Sequence, residues 1–176
     1  MVCQQGCREN ITMSFAWHHT DSDMVKSGTG VSLPAADDTP CIVIDTNVLL
    51  DIWVYRNPAT LNLLAALEIG QLRWLATEAM REELMRVLSY AHIALRREKE
   101  GLSLQAVMDA FDRLSLSEND APRSAVVCKD PDDQKFIDLA VAHSAILLSK
   151  DKLVLKLRTR LTPFGVKTTA EWSAKV

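Results

Sequence analysis

No stretch of the chain approaches the ~18 consecutive apolar residues that a membrane helix needs. The short apolar patch at residues 11–17 runs into His18, His19 and several acids, which is not the pattern of a signal peptide. A cytoplasmic protein with no membrane partner is therefore expected. Cysteine is scarce. Four in 176 residues do not make a disulfide framework. Cys41 opens one apolar run and Cys128 closes another, so both read as small buried hydrophobes. Cys3, Cys7, His18 and His19 fit no standard zinc spacing, and residues 41–176 hold no His/Cys cluster that does. Excess positive charge is also missing. A net charge of −3 excludes gripping nucleic acid by charge alone. There is no internal repeat.

The charge that is present is unevenly spread. Residues 150–176 carry seven bases against two acids. Residues 1–40 mix Gly, Ser, Thr, Asp and Pro without periodicity, and read as a loosely attached or disordered tail. Met13 and Met24 lie inside it and are alternative starts. One ordered domain is expected over residues 41–176.

Within that domain, short buried strands alternate with helices. Residues 41–44, 73–76, 146–148 and 166–168 are apolar enough for strands, and residues 125–128 fit a strand or a packed loop. Helical patterns cover residues 48–54, 59–69, 77–92, 93–100, 103–114, 131–144 and 152–160. Thr77 and Asp130 stand where helix caps belong, with Pro131 at a first helical position. The pattern predicts an α/β fold, a three-layer sandwich with a mostly parallel central sheet.

Ligands of open parallel sheets bind beyond the carboxyl ends of the strands. Asp45 directly follows the first strand, and Asp151 follows the strand at 146–148 after Ser149 and Lys150. Taken singly, each is equally well a helix cap. The helices add two more acids. Met80, Leu84, Val87, Leu88 and Ala91 form one apolar stripe; Glu82 points away from it, and Glu83 lies at its border. A surface ion pair of Glu83 with Arg81 or Arg86 is the plainer alternative. Asp133 precedes Phe136, Ile137 and Ala140 by three, four and seven residues and so lies in line with their buried stripe, with Asp138 on the far face. An inward carboxylate is costly unless something pairs with it. Four acids brought together need protons or a cation, and all-oxygen ligands suit Mg²⁺ or Mn²⁺ rather than zinc.

These residues resemble a known family. Ile-Val-Ile-Asp-Thr-Asn-Val-Leu-Leu at 42–50 is similar to the opening motif of PIN-domain nucleases. Glu-Leu-Met-Arg-Val-Leu at 83–88 is similar to the segment of the second acid. Asp-Pro-Asp-Asp-Gln-Lys-Phe-Ile-Asp-Leu-Ala at 130–140 resembles that of the third, placed at Asp133, and Leu-Leu-Ser-Lys-Asp at 147–151 that of the fourth. The subgroup that looks closest is the VapC-like branch, the toxin components of bacterial toxin–antitoxin pairs. The resemblance runs from about residue 41 to 172. It implies a parallel-sheet fold, a Mg²⁺ or Mn²⁺ cofactor, cleavage of RNA, frequent homodimers and a small inhibitory antitoxin. Residues 1–40 have no counterpart in that pattern, and Ser149-Lys150 replaces the Thr-Gly of many relatives.

The expectation is a divalent-metal-dependent endoribonuclease acting on single-stranded RNA. Asp45, Glu83, Asp133 and Asp151 are its catalytic acids and metal ligands. Thr46, Asn47 and Ser149 orient water or a carboxylate. Lys150, Lys152, Lys156 and Arg158 hold phosphates. Three rivals stand beside it. A haloacid-dehalogenase-like phosphatase wants a second Asp where Asn47 stands. A phospho-receiver leaves an inward Glu83 and Asp133 unexplained. A PIN-like module without activity would only bind a partner.

Overall fold

A computed structural model describes residues 39–173. The tail expected over residues 1–40 lies, except for Thr39 and Pro40, outside the described residues. Five strands form one sheet: β1 (Cys41–Ile44), β2 (Arg73–Thr77), β3 (Ser115–Glu118), β4 (Ile146–Leu148) and β5 (Lys167–Thr169). Their order is β3-β2-β1-β4-β5 and every pairing is parallel. The helices are α1 (Thr46–Trp53), α2 (Leu61–Glu68), α3 (Glu78–Leu88), α4 (Ala91–Lys99), α5 (Leu104–Leu114), α6 (Gln134–Ala142), α7 (Lys152–Lys156) and α8 (Arg158–Leu161). The result is the three-layer α/β arrangement expected, with an all-parallel sheet.

Consecutive residues of the central strands are buried. Ile42, Val43 and Ile44 in β1 and Leu147 and Leu148 in β4 are at most 1 % exposed. Side chains alternate across a strand, so this requires cover on both faces. On one of them α6 packs on β1 and β4. Each such Val, Leu or Ile stabilises the fold by about 1.5–3 kcal/mol through burial. Trp74 in β2 is 1 % exposed and stacks edge-on against Phe111 of α5 at 4.8 Å.

Several boundaries differ from the sequence pattern. β3, Ser-Leu-Ser-Glu, is a strand that hydrophobicity alone does not reveal. It pairs with β2 at the sheet edge and leaves Leu116 44 % exposed. Residues 125–128 are a packed loop, not a strand, with Val126 and Cys128 buried. The helix expected over 77–92 stops at Leu88, because Tyr90 is extended (φ −63°, ψ 135°) and α4 begins after it. Residues 58–60 form a 3₁₀ turn ahead of α2. The helix expected from Pro131 starts at Gln134. Asp130 instead accepts a hydrogen bond from Asp132 N at 3.0 Å and holds a local turn. The last basic helix is broken at Leu157 into α7 and α8. Among the described residues, no helix is long and apolar enough to cross a membrane.

Candidate active site

Strand order reverses between β1 and β4, which places the crevice of this sheet at their carboxyl ends. Asp45 and Ser149 leave those two strands side by side, and Asp45 N donates to Leu148 O at 2.9 Å. Asp45 is 3 % exposed and extended (φ −67°, ψ 146°) at the N-cap of α1. Its Oδ1 accepts from Asn47 N at 3.3 Å, and its Oδ2 accepts from the Ser149 hydroxyl at 2.6 Å. Burial pushes the Asp45 carboxyl above its ordinary value; the Ser149 bond opposes that rise, and Glu83 and Asp151 add to it.

The Ser149 hydroxyl has a second partner, accepting from Asp151 N at 3.0 Å. Asp151 caps α7 through Oδ1, which accepts from Leu153 N at 2.5 Å and from Val154 N at 3.3 Å. The helix-cap reading of Asp45 and Asp151 is thus realised, and it leaves Asp151 Oδ2 without a hydrogen-bond partner among the described residues. Thr46 does for Glu83 what Ser149 does for Asp45: its hydroxyl donates to Glu83 Oε1 at 2.7 Å. Asn47 is exposed and contributes its backbone N–H.

Glu83 sits on α3, with 13 % of its side chain exposed, and its Oε2 contacts the ammonium of Lys135 on α6. The alternative partner Arg81 is taken up elsewhere, by Asp112 at 2.7 Å. Asp133 is half-buried at the N-cap position of α6 but makes no capping hydrogen bond. Its pKa is pushed up to about 7. Burial is the largest cause, followed by the charges of Asp45, Asp151, Asp130 and Glu83. The four acids named from the sequence therefore feel one another at one end of the sheet.

Three other side chains of α6 and its loop had escaped the sequence pattern. Asp138 is buried, not on a solvated face. Its Oδ1 accepts from Ser124 N at 2.8 Å and from Gln134 Nε2 at 2.7 Å. Gln134 also donates to Val126 O at 3.0 Å and accepts from Cys128 N at 2.8 Å. This pair fastens the loop 124–128 to α6, so hydrogen bonding rather than apolar periodicity put Asp138 inside. Lys135 is the third, and a lone lysine inside an acid-rich motif was the only signal for it. Among the phosphate-binding candidates, Lys150 pairs with Asp51, whereas Lys152, Lys156 and Arg158 are exposed with no acid partner among the described residues.

No group of three or more acid, imidazole or thiol side chains among the described residues is set to hold an ion directly. The donors nevertheless fit a hard cation. They are all oxygens, the Asp133 pKa is raised by burial and then by four neighbouring carboxylates, and Asp133 and Asp151 Oδ2 lack hydrogen-bond donors among the described residues. Mg²⁺ keeps several waters and commonly binds through only one or two carboxylates, so an open cluster of this kind suits it.

Residues 41–153, more than half of the chain and spanning all four acids, match the family model of the PIN domain. The chain belongs to the PIN domain family. No curated protein matches it. PIN domains are in general nucleases and typically use divalent metals. That membership sets aside the phosphatase and receiver readings of Asp45, which rest on other folds.

Proposed function

We propose that this PIN domain is an endoribonuclease that hydrolyses single-stranded RNA with Mg²⁺ or Mn²⁺, as the toxin of a type II toxin–antitoxin pair. The observation that supports the nuclease reading is the convergence of Asp45, Glu83, Asp133 and Asp151 at the sheet's switch point, with Ser149 tying Asp45 to the start of α7 and Thr46 holding Glu83. A cluster of that sign is unfavourable on its own and becomes favourable around a cation. Asp45, Glu83, Asp133 and Asp151 would hold it, partly through water. When bound, such an ion lowers the pKa of water and offsets charge on a phosphoryl group under attack.

The chain's own residues arrange the rest. Ser149 fixes Asp45 Oδ2 and, through Asp151 N, the start of α7, so the two carboxylates keep their spacing. Thr46 fixes Glu83 Oε1. Asp133, unclamped, has its pKa pushed up to about 7 by burial and by the neighbouring carboxylates, so a bound cation would favour its charged form. Lys152, Lys156 and Arg158, which follow Asp151 along α7 and α8, hold phosphates of the strand. Lys150, tied to Asp51, contributes less than expected. Lys129 and Arg160 join Lys156 around a hollow of about 140 Å³ also lined by Val127, Leu153 and Leu157, and extend that basic surface. Unpaired RNA suits it because its bases and backbone are accessible.

The toxin role rests on the VapC-like pattern of the motifs, and brings with it a small antitoxin partner and a cytoplasmic location. The homodimer rests on the same resemblance. The deciding experiment is cleavage of defined single-stranded RNAs by the purified chain with Mg²⁺, Mn²⁺ or chelator. Cleavage that needs the metal supports the reading. RNA left intact at every metal concentration, by protein shown to bind Mn²⁺, leaves a PIN domain that only binds a partner.

A further inference from the structure

Glu83 is the one acid of the cluster that already has a cation. The Thr46 hydroxyl holds Oε1, and the Lys135 ammonium lies against Oε2. Oε2 is shut off from water and receives no hydrogen bond of good geometry, so its contact with Lys135 is one of charge. Asp45, Asp133 and Asp151 form no ion pair among the described residues. The ammonium is placed by more than Glu83. It donates to Asp132 O and lies 5.0 Å from the centroid of the Phe136 ring. Only 24 % of the Lys135 side chain and 13 % of that of Glu83 are exposed, which sets the pair apart from a solvated surface bridge.

A lysine can leave such a position, because its charge rides on a flexible four-carbon stem. Space for it exists. Lys135 lines a polar hollow of about 270 Å³ beside Thr77, Arg123 and the exposed carboxylate of Asp120. We propose that Lys135 is a tethered counter-ion: it occupies Glu83 in the metal-free protein, competes with the divalent cation for that carboxylate, and so sets the cation concentration at which the site fills. Lys135 is then a positioning residue, acting through Glu83. This rests on the reading of the acid cluster as a cation site, but not on RNA being the substrate.

The test is titration of the full chain with Mn²⁺ in the absence of RNA, followed by calorimetry or by loss of the free-ion EPR signal. Lys135→Met is expected to bind Mn²⁺ about tenfold more tightly than the parent, since removing one nearby unit charge is worth on that order. Lys135→Arg keeps the charge and is expected to stay near the parent. Glu83→Gln/Lys135→Met should bind no more tightly than Glu83→Gln, which places the coupling on that pair. A folded Lys135→Met with parental or weaker affinity overturns the proposal, as does a gain that survives the Glu83 substitution. Should Lys135→Met fail to fold, amine acetylation of the parent decides. Saturating Mn²⁺ must raise the reactivity of Lys135, and unchanged reactivity overturns the proposal. Protein that behaves as expected here and yet cuts no RNA defeats the nuclease reading alone. Parent and variants that take up no Mn²⁺ defeat both.

Discussion

Asp45 and Asp151, on the β1–β4 side of the cluster, are clamped. One serine hydroxyl bridges them, and the N-termini of α1 and α7 supply further donors. Asp133, on the α6 side, accepts no hydrogen bond among the described residues, and its carboxyl pKa is pushed up to about 7. The clamped acids keep their geometry whatever the site contains. The unclamped acid, with its raised pKa, is the one whose charge is expected to follow what the site contains. In the proposed metal site the clamped acids would fix distances and the unclamped one would respond to charge, and the following substitutions separate the two.

The largest effect is expected for Asp45→Asn. It keeps the shape and the contact with Ser149 but removes the buried charge, so cleavage should fall by about 10³-fold or more while the melting temperature stays within about 3 °C. Metal-dependent RNA cleavage beside a circular-dichroism melt checks both. Asp133→Asn should lower cleavage by about 10²-fold and raise the melting temperature of the metal-free protein at pH 8.

That gain has a defined pH window. The Asp133 pKa lies at about 7 in the folded chain, against an ordinary 3.8. Between those values the folded state holds a proton that the unfolded state has released, so stability falls as pH rises through the window. Metal-free protein is therefore expected to melt higher at pH 5.5 than at pH 8, with Asp45 acting in the same direction. Asp133→Asn should flatten the profile, and saturating Mn²⁺ should restore stability at pH 8. A parent profile that rises with pH would remove the distinction between the two sides.

Ser149→Ala attacks the clamp itself. It strips one donor from a buried carboxylate and one acceptor from Asp151 N, at a cost of about 1–3 kcal/mol in stability and about 10–100-fold in metal affinity. Denaturant melts and Mn²⁺ titration read the two separately. The smallest effect is expected for Lys150→Met, whose cation is committed to Asp51. Its affinity for a short single-stranded RNA should change by less than about twofold, whereas Lys156→Gln should weaken binding and flatten its salt dependence.

The clamped side was the more legible from sequence. Asp45 and Asp151 announce themselves by following apolar runs, although each also caps the helix that comes after it. Glu83 and Asp133 were legible through helical spacing, although Asp133 precedes its helix rather than lying within it. What spacing missed was fixed by polar contacts. Asp138 reads as outward until Gln134 and the loop 124–128 supply its partners, and Lys135 acquires meaning only against Glu83 from another helix. β3 was missed because an edge strand needs one partner and little apolar burial, and Ser-Leu-Ser-Glu offers neither signal.

The bridging hydroxyl between Asp45 and Ser149 spans 104 positions of the chain. Contacts of such separation form late in folding, since a long loop must close before they return any free energy. β1 cannot acquire β4 as its neighbour until residues 146–151 exist, so a nascent or truncated chain ending before them carries Asp45 and Glu83 without a site. If the proposed cleavage of the cell's RNA holds, this topology would delay activity until synthesis of the domain is nearly complete.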